Sequence, residues 1–319
     1  MIQRYNDLLK ILEVHFLTDI ENNKYSLQDL LTHELEFKYA VAKEVLPGIR
    51  RIVAPNPSPY TLHGTGTYII GKKEIAIIDP GPNIKSHIEA ILRETEGEKI
   101  THILVTHTHA DHSPAARPLS ELTGAKVMGY GPHGESGGEE GADLNFIPDY
   151  LLKDKEVITG LNWSLECIHT PGHTSNHICY SVNGTGAVLT GDHIMGWSTT
   201  LVSPPDGNMK DYFYSLEKML LREDKYYIPS HGKMIKHPKR FVTALIGHRK
   251  MREKQITKYL HTKRITYIPD LVSKMYPKLD NRLIKAAGRS VLAHLLHMEE
   301  LGSVKSLEDS KDLGWILSK

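Results

Sequence analysis

The chain has 319 residues, is 40% hydrophobic and carries a net charge of +1; that is enough for one large core and a smaller satellite domain, and too near neutrality for a nucleic-acid binder over its whole surface. Two cysteines, Cys167 and Cys179, are too few for a disulfide framework. No apolar run approaches the roughly 18 residues that would span a bilayer, so the chain reads as soluble and cytoplasmic with no membrane partner. Its charge is uneven: from Lys233 onward there are 19 Lys+Arg against 8 Asp+Glu, and before it 20 against 30, which hints at a basic surface on the C-terminal part.

In chain order, residues 1–46 read as an N-terminal helical extension. Leu8, Leu9, Ile11, Leu12, Phe16 and Leu17 recur at helical period with Asp7, Lys10 and Glu13 between them, which makes an amphipathic helix and not a signal-peptide core. A catalytic domain is expected over 47–240. Strands are predicted at 49–54, 67–70 and 75–78, the last two joined as a hairpin. A helix follows at 84–93, a buried strand at 102–106, a helix at 114–123 and a strand from 127. Residues 131–149, Gly-rich and acidic, read as a mobile loop. Strands resume at 163–169, 178–182, 188–190 and 226–229, with a helix at 211–221 capped by Asp211. Residues 241–319 read as a helical linker and a small winged-helix-like domain. Helices are expected at 268–275 and 282–301, the latter stopped by Gly302, and wing strands at 304–307 and 315–317. The mixture predicts a layered α/β architecture.

The chemistry sits at strand ends. The strand at 102–106 runs into His107-Thr108-His109-Ala110-Asp111-His112, four potential ligands in six residues. On an extended backbone His107, His109 and Asp111 would point one way, and His112, entering the next turn, allows a second ligand set. His173 follows a strand and a Pro-Gly turn, Asp192 a strand and a glycine, and His231 a strand and a turn. Five histidines and two aspartates without a thiolate suit imidazole-tolerant divalent metals such as zinc. Seven ligands are too many for one tetrahedral ion and fit a pair sharing one carboxylate. Two metals about 3.5–4 Å apart stabilise both the attacking and the leaving oxygen of a displacement. There is no Gly-x-Ser-x-Gly elbow and no strong cysteine nucleophile.

These motifs resemble the metallo-β-lactamase superfamily over about residues 47–240, with Asp79 before the His-x-His-x-Asp-His stretch and His173, Asp192 and His231 after it, in the superfamily's order. The resemblance implies an αββα sandwich holding two divalent ions, zinc foremost. It implies that His107, His109 and His173 bind one ion, that Asp111, His112 and His231 bind the other, and that Asp192 bridges them. Asp111 would also act as a catalytic residue, and Asp79 resembles the buried acid behind the ligands and is the second catalytic candidate. The bridging Asp192 argues against a true β-lactamase, His109 against the flavodiiron branch, and the short Asp192–His231 interval against the β-CASP nucleases. The segments 56–61, 64–68 and 248–253 resemble the beta-lactamase-like endoribonuclease branch and its bacterial relatives. Hydrolysis of single-stranded RNA is therefore the leading expectation, with Arg249, Arg252, Lys278, Arg282, Lys285 and Arg289 as possible phosphate contacts. The alternatives are a thioester or lactone hydrolase of glyoxalase II type and a non-enzymatic nucleic-acid-binding protein.

Overall fold

Strands that must be buried on both faces build the centre of the molecule. A computed structural model describes residues 26–134, 141–262, 265–308 and 313–318. The first sheet takes β1 (Lys43–Leu46), β2 (Ile49–Val53), β3 (Gly66–Lys72), β4 (Glu74–Ile78), β5 (Lys99–Leu104), β6 (Lys126–Gly129) and β7 (Tyr150–Leu151), in that spatial order. β1 to β4 pair antiparallel and β4 to β7 parallel. The β4–β5 and β5–β6 pairs require crossovers, supplied by α1 (Lys85–Glu94) and α2 (Ala116–Thr123). The second sheet holds β8 (Val157–Thr159), β9 (Ser164–His169), β10 (Ile178–Val182), β11 (Ala187–Gly191) and β12 (Tyr226–Pro229), antiparallel except for β11 and β12.

Residue alternation explains the layers. On β4, Ala76 and Ile78 face Leu165, Cys167 and Leu189 of the second sheet, while Ile75 and Ile77 face the other way onto Ile88 and Ile91 of α1 and Leu119 of α2. On the far side, Ile168, Cys179 and Val188 pack under α3 (Met209–Leu220) and α4 (Pro238–Thr262) through Leu216, Met219, Val242 and Leu245. The order is helix, sheet, sheet, helix, the αββα sandwich expected. Cys167 and Cys179 are buried free thiols.

The C-terminal domain comprises β13 (Thr266–Tyr267), α5 (Ile268–Met275), α6 (Ile284–Glu300), β14 (Val304–Glu308) and β15 (Leu313–Leu317), with its sheet ordered β13-β15-β14. Trp315, Leu271, Val291 and Leu295 form its core together with Ile256 and Leu260 of α4. The 25-residue α4, about 37 Å long, thus belongs to both cores.

Three expectations need correction. The amphipathic helix read within 1–17 lies outside the described residues, but from Ser26 the extension is not helical: a three-residue 3-10 turn, Leu27–Asp29, leads to irregular chain and then β1. Val45 and Leu46 of β1 pack against the core between the sheets, and that packing, with an added strand's hydrogen bonds, outweighs local helix preference. The cap of α3 is Asn208, whose side chain accepts from Asp211 N–H, so Asp211 lies inside the first turn. The short strands β7, β8 and β13 were not foreseen. Of the loop read at 131–149, residues 135–140 lie outside the described residues.

Candidate metal centre

β4 and β5 run parallel, as do β11 and β12, and β9 and β11 are both antiparallel to β10. The loops after β4, β5, β9, β11 and β12 carry Asp79, His107 to His112, His173, Asp192 and His231, and they converge at one edge of the sandwich. Two glycines make close approach possible. Gly191, at φ 51°, would bring a Cβ to 2.5 Å from His177 Nε2, and Gly172, at φ 134°, would press one against the backbone of Tyr212 at 2.4 Å.

All seven sequence-predicted ligands meet. His109 Nδ1 lies 3.0 Å from both His107 Nε2 and His173 Nε2. Asp111 Oδ2 lies 3.2 Å from His112 Nε2 and 3.2 Å from His231 Nε2. Asp192 spans the two groups: Oδ1 is 3.3 Å from His231 Nε2, and Oδ2 is 3.7 Å from His112 Nε2 and 3.9 Å from His173 Nε2. Three overlapping sets, His107/His109/His173, His107/His112/Asp192 and Asp111/His112/His231, each bring their donor atoms within 4.8 Å of one another.

The surroundings assign the ring protons and so test whether these donors suit a cation. The far nitrogen of four of the five ligand histidines has an acceptor that fixes the tautomer. His173 Nδ1 donates to Leu201 O at 2.6 Å, His231 Nδ1 faces Gly64 O at 3.3 Å, and His112 Nδ1 donates to Asp79 Oδ2 at 2.9 Å. Thr106 Oγ1 donates to Asp79 Oδ2 at 2.7 Å and accepts from His107 Nδ1 at 3.0 Å. In their neutral forms these four rings therefore turn Nε2 lone pairs inward. His112 Nε2 and Asp192 Oδ1 are buried without a hydrogen-bond partner. Converging lone pairs and a buried carboxylate oxygen of Asp192 left without a hydrogen-bond partner fit divalent ions.

Asp79 does not face the reacting space. It is fully buried and accepts from Thr106 N–H, Thr106 Oγ1, His112 and Ser230 Oγ, the last at 3.0 Å. The catalytic role expected for it becomes a positioning role: one carboxylate orients His112 directly and His107 through Thr106. His177 accepts from Asp192 N–H at 3.2 Å and bonds Thr170 Oγ1 at 2.8 Å, so it positions the bridging loop. Thr65 Oγ1 donates to Asp111 Oδ2 at 2.8 Å. Thr106 and Ser230 sit immediately before ligand histidines, the one signal that could have singled them out. His63 turns away to His33 O, and His133 bonds Thr108; neither lines the cavity below.

Electrostatics divides the ligands. Burial pushes His107 well below its usual value and His109 down to about 3, with neighbouring histidines adding to the effect. Burial acts the same way on His231, but Asp192 and Asp111 outweigh it and raise the ring to about 10; His112 is also held well above its usual range by the aspartates. Burial opposes charge on Asp111 and Asp192, yet the same histidines keep both carboxyls well below their ordinary range. Without an ion, protons on His112 and His231 balance the carboxylates, and a cation must displace them.

The site opens into a cavity of about 700 Å³. His109, Asp111, His173, Asp192 and His231 line its floor, and His107 and His112 lie behind them. Met195, Trp197 and Leu201 form one wall, and Leu279, Leu283, Lys285 and Arg289 of the C-terminal domain another.

A match to the model of the metallo-beta-lactamase superfamily spans residues 60–231, more than half of the chain, and takes in all seven ligands. This chain belongs to the metallo-beta-lactamase superfamily. A second match, to the beta-lactamase associated winged helix domain, covers residues 268–315. Among the superfamily's members, the Beta-lactamase-like protein 2 homolog of Drosophila melanogaster is 31% identical, over 80% of this chain and 89% of its own. An Atrochrysone carboxyl ACP thioesterase of Cryptosporiopsis sp. is 27% identical over 68% of this chain, which spans 64% of that protein's length. A beta-lactamase domain protein from Burkholderia ambifaria shares the fold at TM-score 0.78 and 18% identity, with 89% of this chain and 96% of that one covered. The chain is accordingly a superfamily hydrolase whose His/Asp centre is of the kind that binds divalent ions.

Proposed function

We propose that the protein hydrolyses thioesters, with two divalent ions, zinc foremost, held by His107, His109 and His173 on one side, Asp111, His112 and His231 on the other, and Asp192 between. The observation that carries this reading is the cavity over the ligands. Its walls are chiefly apolar, from Met195, Trp197, Leu201, Leu279 and Leu283, and suit an acyl chain. When bound, the ions bring the pKa of water to near 7 and polarise a carbonyl. Asp111, on the cavity floor, orients the attacking water and takes its proton; the water oxygen joins the carbonyl carbon, the C–S bond breaks, and the proton leaves with the thiol. The thioesterase among the similar proteins supports the same class.

Cleavage of single-stranded RNA is the second reading. The rings of Tyr60, Trp197 and Tyr276 around the cavity favour it, since bases stack on aromatic faces. Against it, Arg249 is buried and bonded to Thr200 O, and Arg252 lies over the Tyr276 ring and bonds Met275 O, so two of the cations expected to meet phosphates are spent inside the protein. A panel of acyl thioesters, lactones and RNA oligomers, assayed with the zinc-loaded protein, tests the choice. Release of free thiol with intact RNA is the expected result; RNA cleavage without thiol release overturns the thioester reading.

A further inference from the structure

Resting on the thioester reading, we propose that Lys285 and Arg289 form an anion subsite, so that the winged-helix domain acts as the wall that selects thioesters bearing one negatively charged group away from the scissile carbonyl. The two residues are four apart on α6 and therefore share a face, and both line the cavity that has the ligands on its floor. The other C-terminal residues in that wall include Leu279, Leu283, Ala286 and Ala287. Arg289, half-buried among these apolar groups, acts on an anion through less screening than in open water, and the exposed Lys285 adds its charge from the same helix face.

The other arginines of the region are engaged elsewhere. Arg249 is bonded to Thr200 O, Arg252 rests on Tyr276, and Arg282 forks onto Asp280. Arg289 differs. It is half-buried, Nη1 donates to Ser203 Oγ at 3.2 Å, and among the described residues no carboxylate forms an ion pair with it. The neutral serine aims the guanidinium without cancelling its charge. A guanidinium with an ammonium one helical turn away matches a carboxylate or a phosphate monoester. Lys285 and Arg289 are the only Lys or Arg among the described residues lining the cavity, which suits a single anionic group and leaves a polyphosphate strand poorly neutralised.

The anion could sit on the acyl part, as a carboxylate, or on the thiol part, as a phosphate. Three substrates separate the sources: the butanoyl thioester of N-acetylcysteamine, its 4-carboxybutanoyl counterpart, and S-butanoyl-4′-phosphopantetheine, which carries a single phosphate monoester. The zinc-loaded full chain should favour at least one charged substrate over the neutral one by about tenfold or more in kcat/KM, mainly through KM, as one charge-assisted hydrogen bond would give. In the double variant Lys285→Met, Arg289→Met, which keeps the apolar stems, the ratio should fall towards one, and Arg289→Lys should keep part of it. Absence of any preference in the natural chain, or its survival in the double variant, overturns the subsite. If no thioester turns over, the reaction reading fails, and calorimetry with S-butyl-4′-phosphopantetheine and the 4-carboxybutyl thioether judges the subsite alone. Tighter binding by the natural chain than by the double variant supports it, and equal or undetectable binding by both overturns it. Cleavage of an RNA oligomer that depends on the same two residues overturns the substrate class.

Discussion

Asp79 and Asp192 show how differently two buried acids serve one centre. Asp192 places one oxygen towards His231 and the other towards His112 and His173. Asp192→Ala should therefore leave a folded chain with fewer than two bound ions and turnover reduced by at least about 100-fold, in line with loss of a group that fixes charge at the reacting centre; metal analysis beside circular dichroism checks it, and full loading with normal turnover would refute the bridging role. Asp79 instead receives four donors. In Asp79→Asn the amide NH2 must face groups that themselves donate, so His112 and His107 lose orientation. Metal affinity should drop about 10–100-fold, the usual cost of losing such a partner behind a ligand, as measured by competition with a chromophoric chelator. Protons also compete with the ions. His231 is raised to about 10, and His112 is raised too, so at neutral pH both are protonated in the ion-free protein and loading must expel those protons. Affinity should rise with pH through the neutral range, and calorimetry in buffers of different ionisation enthalpy should register proton release; a pH-independent affinity would contradict the sign.

At the scale of elements, α4 supports the metal-bearing loops. Its Arg249 is 2% exposed, donates to Thr200 O and sits 5.2 Å over the Tyr212 ring. Thr200 Oγ1 in turn donates to Asp192 O at 2.7 Å. Arg249→Met keeps bulk but strands the carbonyl, which should cost about 2 kcal/mol of stability, visible as a lower urea midpoint with unchanged slope. A phosphate-contact role would predict no such loss. The basic excess of the C-terminal third was therefore a poor guide to function at this position: a charge count cannot tell a guanidinium in solvent from one that ties a helix to a loop.

For the whole molecule, the cavity exists because the winged-helix domain is docked against the sandwich. Glu253 of α4 is one fastening, accepting from His294 Nδ1 at 3.2 Å and His297 Nδ1 at 2.8 Å of α6. Burial works to raise this carboxyl, but the two histidines outweigh it and hold it below its ordinary value of 4.5. The folded group thus keeps its charge at a pH where the unfolded one has taken a proton. Its contribution is complete above about 4.5 and fades as pH falls through the lower folded value. Glu253→Gln should lower stability at neutral pH and flatten that acid limb in pH-dependent urea melts; an unchanged limb would show that the contact does not fasten the domain.

Local residue order determined much of this protein. Strand-period runs ending in His107 to Asp111, His173, Asp192 and His231 marked the ligands, because a ligand after a buried strand needs only short-range information: an apolar run, a turn and a donor. The tertiary structure decided what depends on contacts between distant segments. It split the 107–112 stretch so that Asp111 sides with His112 and His231, where a simple alternation would have put it with His107 and His109. It drew Lys43–Leu46 into an edge strand, turned Asp79 from the reacting space to the back of two histidines, and buried Arg249. It also brought Lys285 and Arg289 to the cavity wall, more than fifty residues beyond the last ligand. Packing and desolvation are summed over the whole fold, so no local window of sequence contains them.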